Sequence, residues 1–165
     1  MCVNTVMLKM IAFSEGNLHD INHFLKVYAY AKTISEAEGL DAKTQETLEL
    51  AAIVHDIACP LCRGKYGNTN GKYQELEGMP LTEELLKDMD IPDDMRSRVV
   101  WLVGHHHTLT DVDGIDHRIL LEADYLVNAD ESGHTEEQIR TAEKTIFRTE
   151  TGLSLLNSIY LRRKR

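Results

Sequence analysis

A chain of 165 residues, 42% hydrophobic and 27% charged, is long enough to bury roughly 70% of the surface its unfolded form exposes, which excludes disorder and collagen-like repeats. With 18 Lys and Arg against 27 Asp and Glu the net charge is −9, so a nucleic-acid polymer, whose binding needs a basic face, is not an expected partner. Three cysteines, an odd number, argue against a disulfide framework and for a reducing, cytoplasmic setting.

The opening stretch to Phe13 is interrupted by Asn4 and Lys9 and has no small-residue cleavage site, so no signal peptide is expected. No apolar run reaches about 18 residues, which removes a membrane from the expected partners. After a short apolar segment from Thr5 to Phe13, the stretch Asp20 to Glu38 has a helical seam of His23, Val27, Tyr30 and Ile34, and Gly39 ends it. Asp41 is the expected N-cap of a helix to about Ile57 that carries Leu48, Ala52 and His55 on one face, with Asp56 beside them. Residues 59 to 80 contain glycines and two prolines without a lasting period and read as a long, partly irregular loop. A short helix follows from Thr82 to about Met89. Another runs from Pro92 through Val99, Leu102 and Val103 to His106. Asp116 to Ala129 reads as a strong helix with Leu120, Asp124 and Val127 on one face, and helices at 135 to 147 and 153 to 163 complete the chain. Arg162, Arg163, Lys164 and Arg165 read as a solvated helix end. With no run of alternating strands, the expected class is all-α in a single domain over 1–165.

Three separate helices thus put ionisable residues on otherwise apolar seams: His23, the pair His55 and Asp56, and Asp124. Burying unpaired carboxylates costs several kcal/mol, and two buried acids repel unless a cation lies between them. A divalent metal is the economical answer, because imidazole and carboxylate together suit first-row ions and inward-facing side chains of a helical bundle are a recurrent way to build such sites. In order and in helical placement, His23, His55-Asp56 and Asp124 resemble the H…HD…D signature of the HD-domain superfamily of metal-dependent phosphohydrolases. The resemblance covers about residues 18 to 130. It implies an all-helical HD-type bundle with a metal on His23, His55, Asp56 and Asp124 and, most often, hydrolysis of a phosphoester.

Some related sites hold a second metal through ligands between the dipeptide and the last Asp. Here Glu77 and the histidines of Gly104-His105-His106-His107 fall in that region, so Glu77, His105 and His106 are the candidates for a second ion. Continuing the helical phase from Leu102 and Val103 ranks His106 first as the inward residue, His105 second and His107 third. Asp56 is expected to bind metal and orient water, with His106 or His105 as the proton donor to the leaving oxygen. Arg63, Lys65 and Lys72 are candidates for phosphate contact. Cys59-Pro-Leu-Cys62 has the spacing of a thiol pair, but no second pair completes a structural zinc site and no βαβ context suits a redox module, so both thiols are assigned to packing.

The expected activity is therefore hydrolysis of a small phosphoester, a nucleotide or another phosphomonoester, by water activated at one or two divalent ions. Mn, Fe, Co, Ni, Zn and Mg are not distinguished. The alternatives are a non-catalytic metal-containing module that binds a nucleotide or protein, and an iron-dependent oxygenase on the same scaffold. The sequence leaves the oligomeric state open.

Overall fold

The computed structural model describes residues 2–162, and the basic residues Arg163, Lys164 and Arg165 lie outside them. Among the described residues there are nine α-helices, a terminal π-helical turn and no strand, so the class is all-α. None of the helices is long and apolar enough to cross a membrane.

Helix α3, Ala42–Val54, lies at the centre. Every residue from Thr47 to Val54 is buried, the pattern of a helix covered on all sides. Asp41 caps it by accepting the backbone N–H groups of Lys43 and Thr44. Helix α1, Cys2–Phe13, lies against it, and so do α2, Leu18–Ala37, α6, Asp93–Val103, and α7, Gly114–Glu131. α2 buries Phe24, Val27, Ala31 and Ile34 at helical spacing and packs on both α3 and α7. Phe24, Val27 and Ile34 each contribute about 1.5–3 kcal/mol on full burial. His23 and Asp124 occupy the same buried stripes, which carries them to the centre of the fold.

The segment expected as a loop is instead two helices, α4, Cys59–Tyr66, and α5, Gly71–Leu86, so the expected helix at 82–89 is the end of a longer one. Pro60 sits in the first turn of α4, where its missing N–H is no loss, and Gly67 ends that helix in the left-handed region at φ 71°. Pro80 is accommodated inside α5. Gly78 serves helix contact, since a Cβ there would lie 2.7 Å from Val103 of α6. Gly104 works in the same way from the other side: a Cβ on it would meet the Met79 sulfur at 2.5 Å.

The last elements are α8, Glu136–Thr145, and α9, Glu150–Leu156, followed by the π turn Asn157–Leu161. Glu122 of α7 ties α9 down: its buried carboxylate accepts the N–H groups of Arg148 and Thr149 and the Thr149 hydroxyl.

Candidate metal centre

Four parts of the chain meet at one point: α2 with His23, the turn after α3 with His55 and Asp56, the turn after α6 with His106 and His107, and α7 with Asp124. Three of the imidazoles are anchored from behind. Nδ1 of His23 bonds the Glu131 carboxylate at 2.8 Å, that of His55 the Ala52 carbonyl at 2.8 Å, and that of His106 the Val103 carbonyl at 2.6 Å. An acceptor at Nδ1 keeps the proton there and leaves the Nε2 lone pair aimed at the common centre.

His23 Nε2 lies 3.2 Å from His55 Nε2, from Asp124 Oδ1 and from Asp56 Oδ2. His55 Nε2 lies 3.4 Å from Asp124 Oδ1 and 3.5 Å from Asp56 Oδ1. Two imidazole nitrogens at 3.2 Å are compatible only when a proton or a metal ion lies between them. The spacing fits an ion: ligands 2.0–2.2 Å from a tetrahedral centre are roughly 3.3–3.6 Å apart. Nitrogen and carboxylate donors in this mixture suit first-row divalent metals.

The electrostatics have the same sense. Burial opposes a charge on His23, but Asp124, Asp56 and Glu131 outweigh it and raise its pKa to about 10. Burial likewise opposes the charge on Asp124, and hydrogen bonds from His23 and His55 overcome it and hold that carboxyl well below the usual range. Asp56 is also held low, through His55 and His106 against its own desolvation. The pocket thus keeps two carboxylates ionised and calls for positive charge between them.

Asp56 faces both ways. Its Oδ2 is turned to His23, while its Oδ1 lies 3.3 Å from His106 Nε2. His107 joins Asp56 and His106 in a second group of possible ligands. Gln74 of α5 closes this side, its Oε1 being 3.3 Å from His106 Nε2 and 3.1 Å from His107 Nε2.

Two of the three residues expected to hold a second ion point elsewhere. Glu77 is turned to Lys65 and the Tyr66 hydroxyl, each at 2.6 Å, and is not in either ligand group. The same contact pairs the Lys65 amine with Glu77, and Lys65 lines neither pocket at the centre. His105 stacks on Trp101 at 3.9 Å and bonds the Trp101 carbonyl, because α6 ends at Val103 and the turn rotates residue 105 away. Lys72 is exposed in the first turn of α5 and lines neither pocket at the centre. His107, ranked last of the three histidines from sequence, faces the site, and Gln74 and Glu131 were not singled out. Glu131 had a signal, seven residues after Asp124 on one helix face, whereas Gln74 was hidden by the loop reading.

Two pockets open from the centre. One, of about 220 Å³, is walled by His23, Asp56, Asp20 and Glu131, with Arg63 held by Asp20. The other, of about 320 Å³, runs past Asp124 and His106 between Leu109, Leu121, Tyr125 and Ile146. Cys59 lines the smaller pocket. Burial, then Asp56 and Asp20, push its thiol far up, which suits an inert side chain, and Cys62 is buried as well.

The family description "HD domain" matches residues 20–129. No curated protein matches the chain in sequence. The fold is similar to a crystal structure of a predicted HD superfamily hydrolase from an uncultured Thermotogales bacterium. That likeness has a TM-score of 0.73 at 21% identity, and it covers 96% of this chain and 84% of the other. The chain belongs to the HD-domain family.

Proposed function

We propose that this HD-domain chain is a metal-dependent phosphohydrolase acting on a small phosphoester. The observation that carries the reading is the convergence of the anchored Nε2 atoms of His23 and His55 on Asp56 and Asp124 at 3.2–3.5 Å. A divalent ion held there would supply Lewis acidity, making water a competent nucleophile near neutral pH and offsetting charge on the phosphoryl oxygens. His23, His55, Asp56 and Asp124 would hold it.

Asp56 orients the attacking water through its carboxylate while its other oxygen faces His106. Asp56, His106 and His107 form a second group that would hold another ion, and Asp56 belongs to both groups. When only one ion is bound, His106 serves as the acid: Asp56 raises its pKa against burial, and its Nε2 faces the pocket to protonate the leaving oxygen. Arg63, fixed by Asp20 in the pocket wall, contacts the phosphoryl group.

The test is a screen of phosphoesters against chelated protein with and without Mn, Co, Mg and Ni, run beside His55→Ala and Asp124→Ala. Both variants are expected to lose bound metal and turnover while keeping the far-UV circular dichroism of the parent. Full metal occupancy in both would overturn the ligand assignment. A fully loaded protein that hydrolyses nothing would leave a non-catalytic metal module.

A further inference from the structure

Asn128 stands one helical turn past Asp124 on α7 and lines both pockets that open from the centre. It is half-buried, and among the described residues no side-chain hydrogen bond engages its amide, although that group offers an acceptor and two donors. A molecule with its phosphoryl group at the ligands and its remainder in the larger pocket must cross this boundary.

The larger pocket has an apolar and aromatic side formed by Leu109, Leu121, Tyr125 and Ile146, opposite polar residues that include His106, His107 and His134, and no Lys or Arg lines it. In the smaller pocket Arg63 is the one such residue, and Asp20, Asp56 and Glu131 stand beside it. Beyond the metal ligands, a second or third phosphate would therefore find no Lys or Arg other than Arg63, which Asp20 already pairs, in a chain of net charge −9. A volume of about 320 Å³ suits a single small organic group, since small-molecule sites run from roughly 300 to 1,000 Å³.

We propose that the substrate is a phosphate monoester of an uncharged, partly apolar organic group, seated between Leu109, Leu121, Tyr125 and Ile146, and that Asn128 is the specificity residue bonding its first polar atom beyond the ester oxygen. The proposal rests on the phosphohydrolase reading and narrows it. It excludes di- and triphosphates as preferred substrates.

The experiment compares a nucleoside monophosphate, the matching triphosphate and ethyl phosphate, which is too short to reach the larger pocket, on metal-loaded wild type, Asn128→Leu and Leu109→Trp. Leu109 is 48% exposed on a loop, so its substitution does not endanger folding. The monophosphate is expected to exceed the triphosphate in kcat/KM by about tenfold or more, and both variants to lower the ratio of monophosphate to ethyl phosphate by about tenfold, the size of one lost hydrogen bond or blocked contact. Equal use of the triphosphate, or ratios within about twofold of wild type in both variants, would overturn the proposal.

A calorimetric titration with a non-hydrolysable phosphonate analogue of the monophosphate separates this outcome from failure of the parent reading. Absence of turnover on every ester sinks the hydrolase. Binding of the phosphonate that weakens about tenfold in both variants still supports the recognition site, and no binding to wild type overturns it.

Discussion

Gly71→Ala tests how the fold sets the His107 limb of the site. The new Cβ would lie 2.8 Å from His107 Cγ, 2.9 Å from its Cβ and 3.1 Å from its Cδ2. Carbon atoms are at ease at about 3.5–4.0 Å, so the overlap is roughly 0.4–1.2 Å. Turning the ring about χ1 does not move the Cβ, so the backbone at 107 or the first turn of α5 must shift. Both consequences reach the site, because α5 also carries Gln74, the partner of His106 and His107, and Glu75, which accepts the His107 backbone N–H at 2.9 Å. Replacing a helical glycine by alanine gains up to about 1 kcal/mol in chain entropy, which offsets part of the strain and leaves global stability within about 1 kcal/mol of the parent. Affinity for an ion at Asp56, His106 and His107 is expected to fall about 10–100-fold, as when a residue behind a ligand is disturbed. Metal titration by calorimetry beside a thermal melt measures both. Gly64→Ala is the control, since a Cβ there meets nothing within 4 Å. If Gly71→Ala binds its second ion within about twofold of wild type, or turns over normally in a protein that takes one ion, the close approach does not position His107.

Gly152→Ala puts a Cβ 2.0 Å from the Glu122 carboxylate and would drive it off the backbone N–H groups it accepts. The unsatisfied buried groups cost about 2–4 kcal/mol, a fall in Tm of roughly 4–16 °C, and an unchanged melt contradicts the overlap. Arg63→Ala is expected to raise KM for a phosphomonoester by about 10–100-fold, whereas Lys65→Ala, whose amine is turned to Glu77, changes it less than about twofold. Equal effects of the two would mean that both reach the phosphate. Cys59 should react with iodoacetamide far more slowly than an unfolded control at pH 8, since burial and the carboxylates of Asp56 and Asp20 suppress its thiolate. Rapid labelling of the native protein would show that this thiol is not a packing residue.

The helices that could be read from sequence were those with an unbroken apolar period or a clear cap, including α3, which Asp41 caps. α2 and α7 show their stripes because both pack along their length against the same neighbours, and the ionisable residues on those stripes were visible as exceptions. α4 and α5 were missed for a different reason. Glycine and proline were read as breakers, but their effect depends on place: Pro60 begins a helix, Gly67 ends one, and Gly78 lets α5 approach α6. Composition reports that a residue is permissive, and only the partner helix decides whether that freedom makes a turn or a contact.

The same distinction explains which parts of the site were legible. His23, His55, Asp56 and Asp124 lie within or immediately after long buried helices, so helical phase carried them correctly to one point. The phase argument also brought His106 inward, but for His105 it was extended past Val103, where α6 stops. Beyond a helix end, direction is set by local bonds. His105 bonds the Trp101 carbonyl, and the buried His117 donates to the carbonyl of His105, which fixes the peptide from which His106 and His107 turn back toward Asp56 and Gln74. On α7 the phase persists for more than two turns after Leu121, through Asp124 and Asn128 to Glu131. One continuous helix therefore presents a candidate ligand, an amide at the junction of two pockets and the carboxylate that anchors His23, and a change in its register would move all three together.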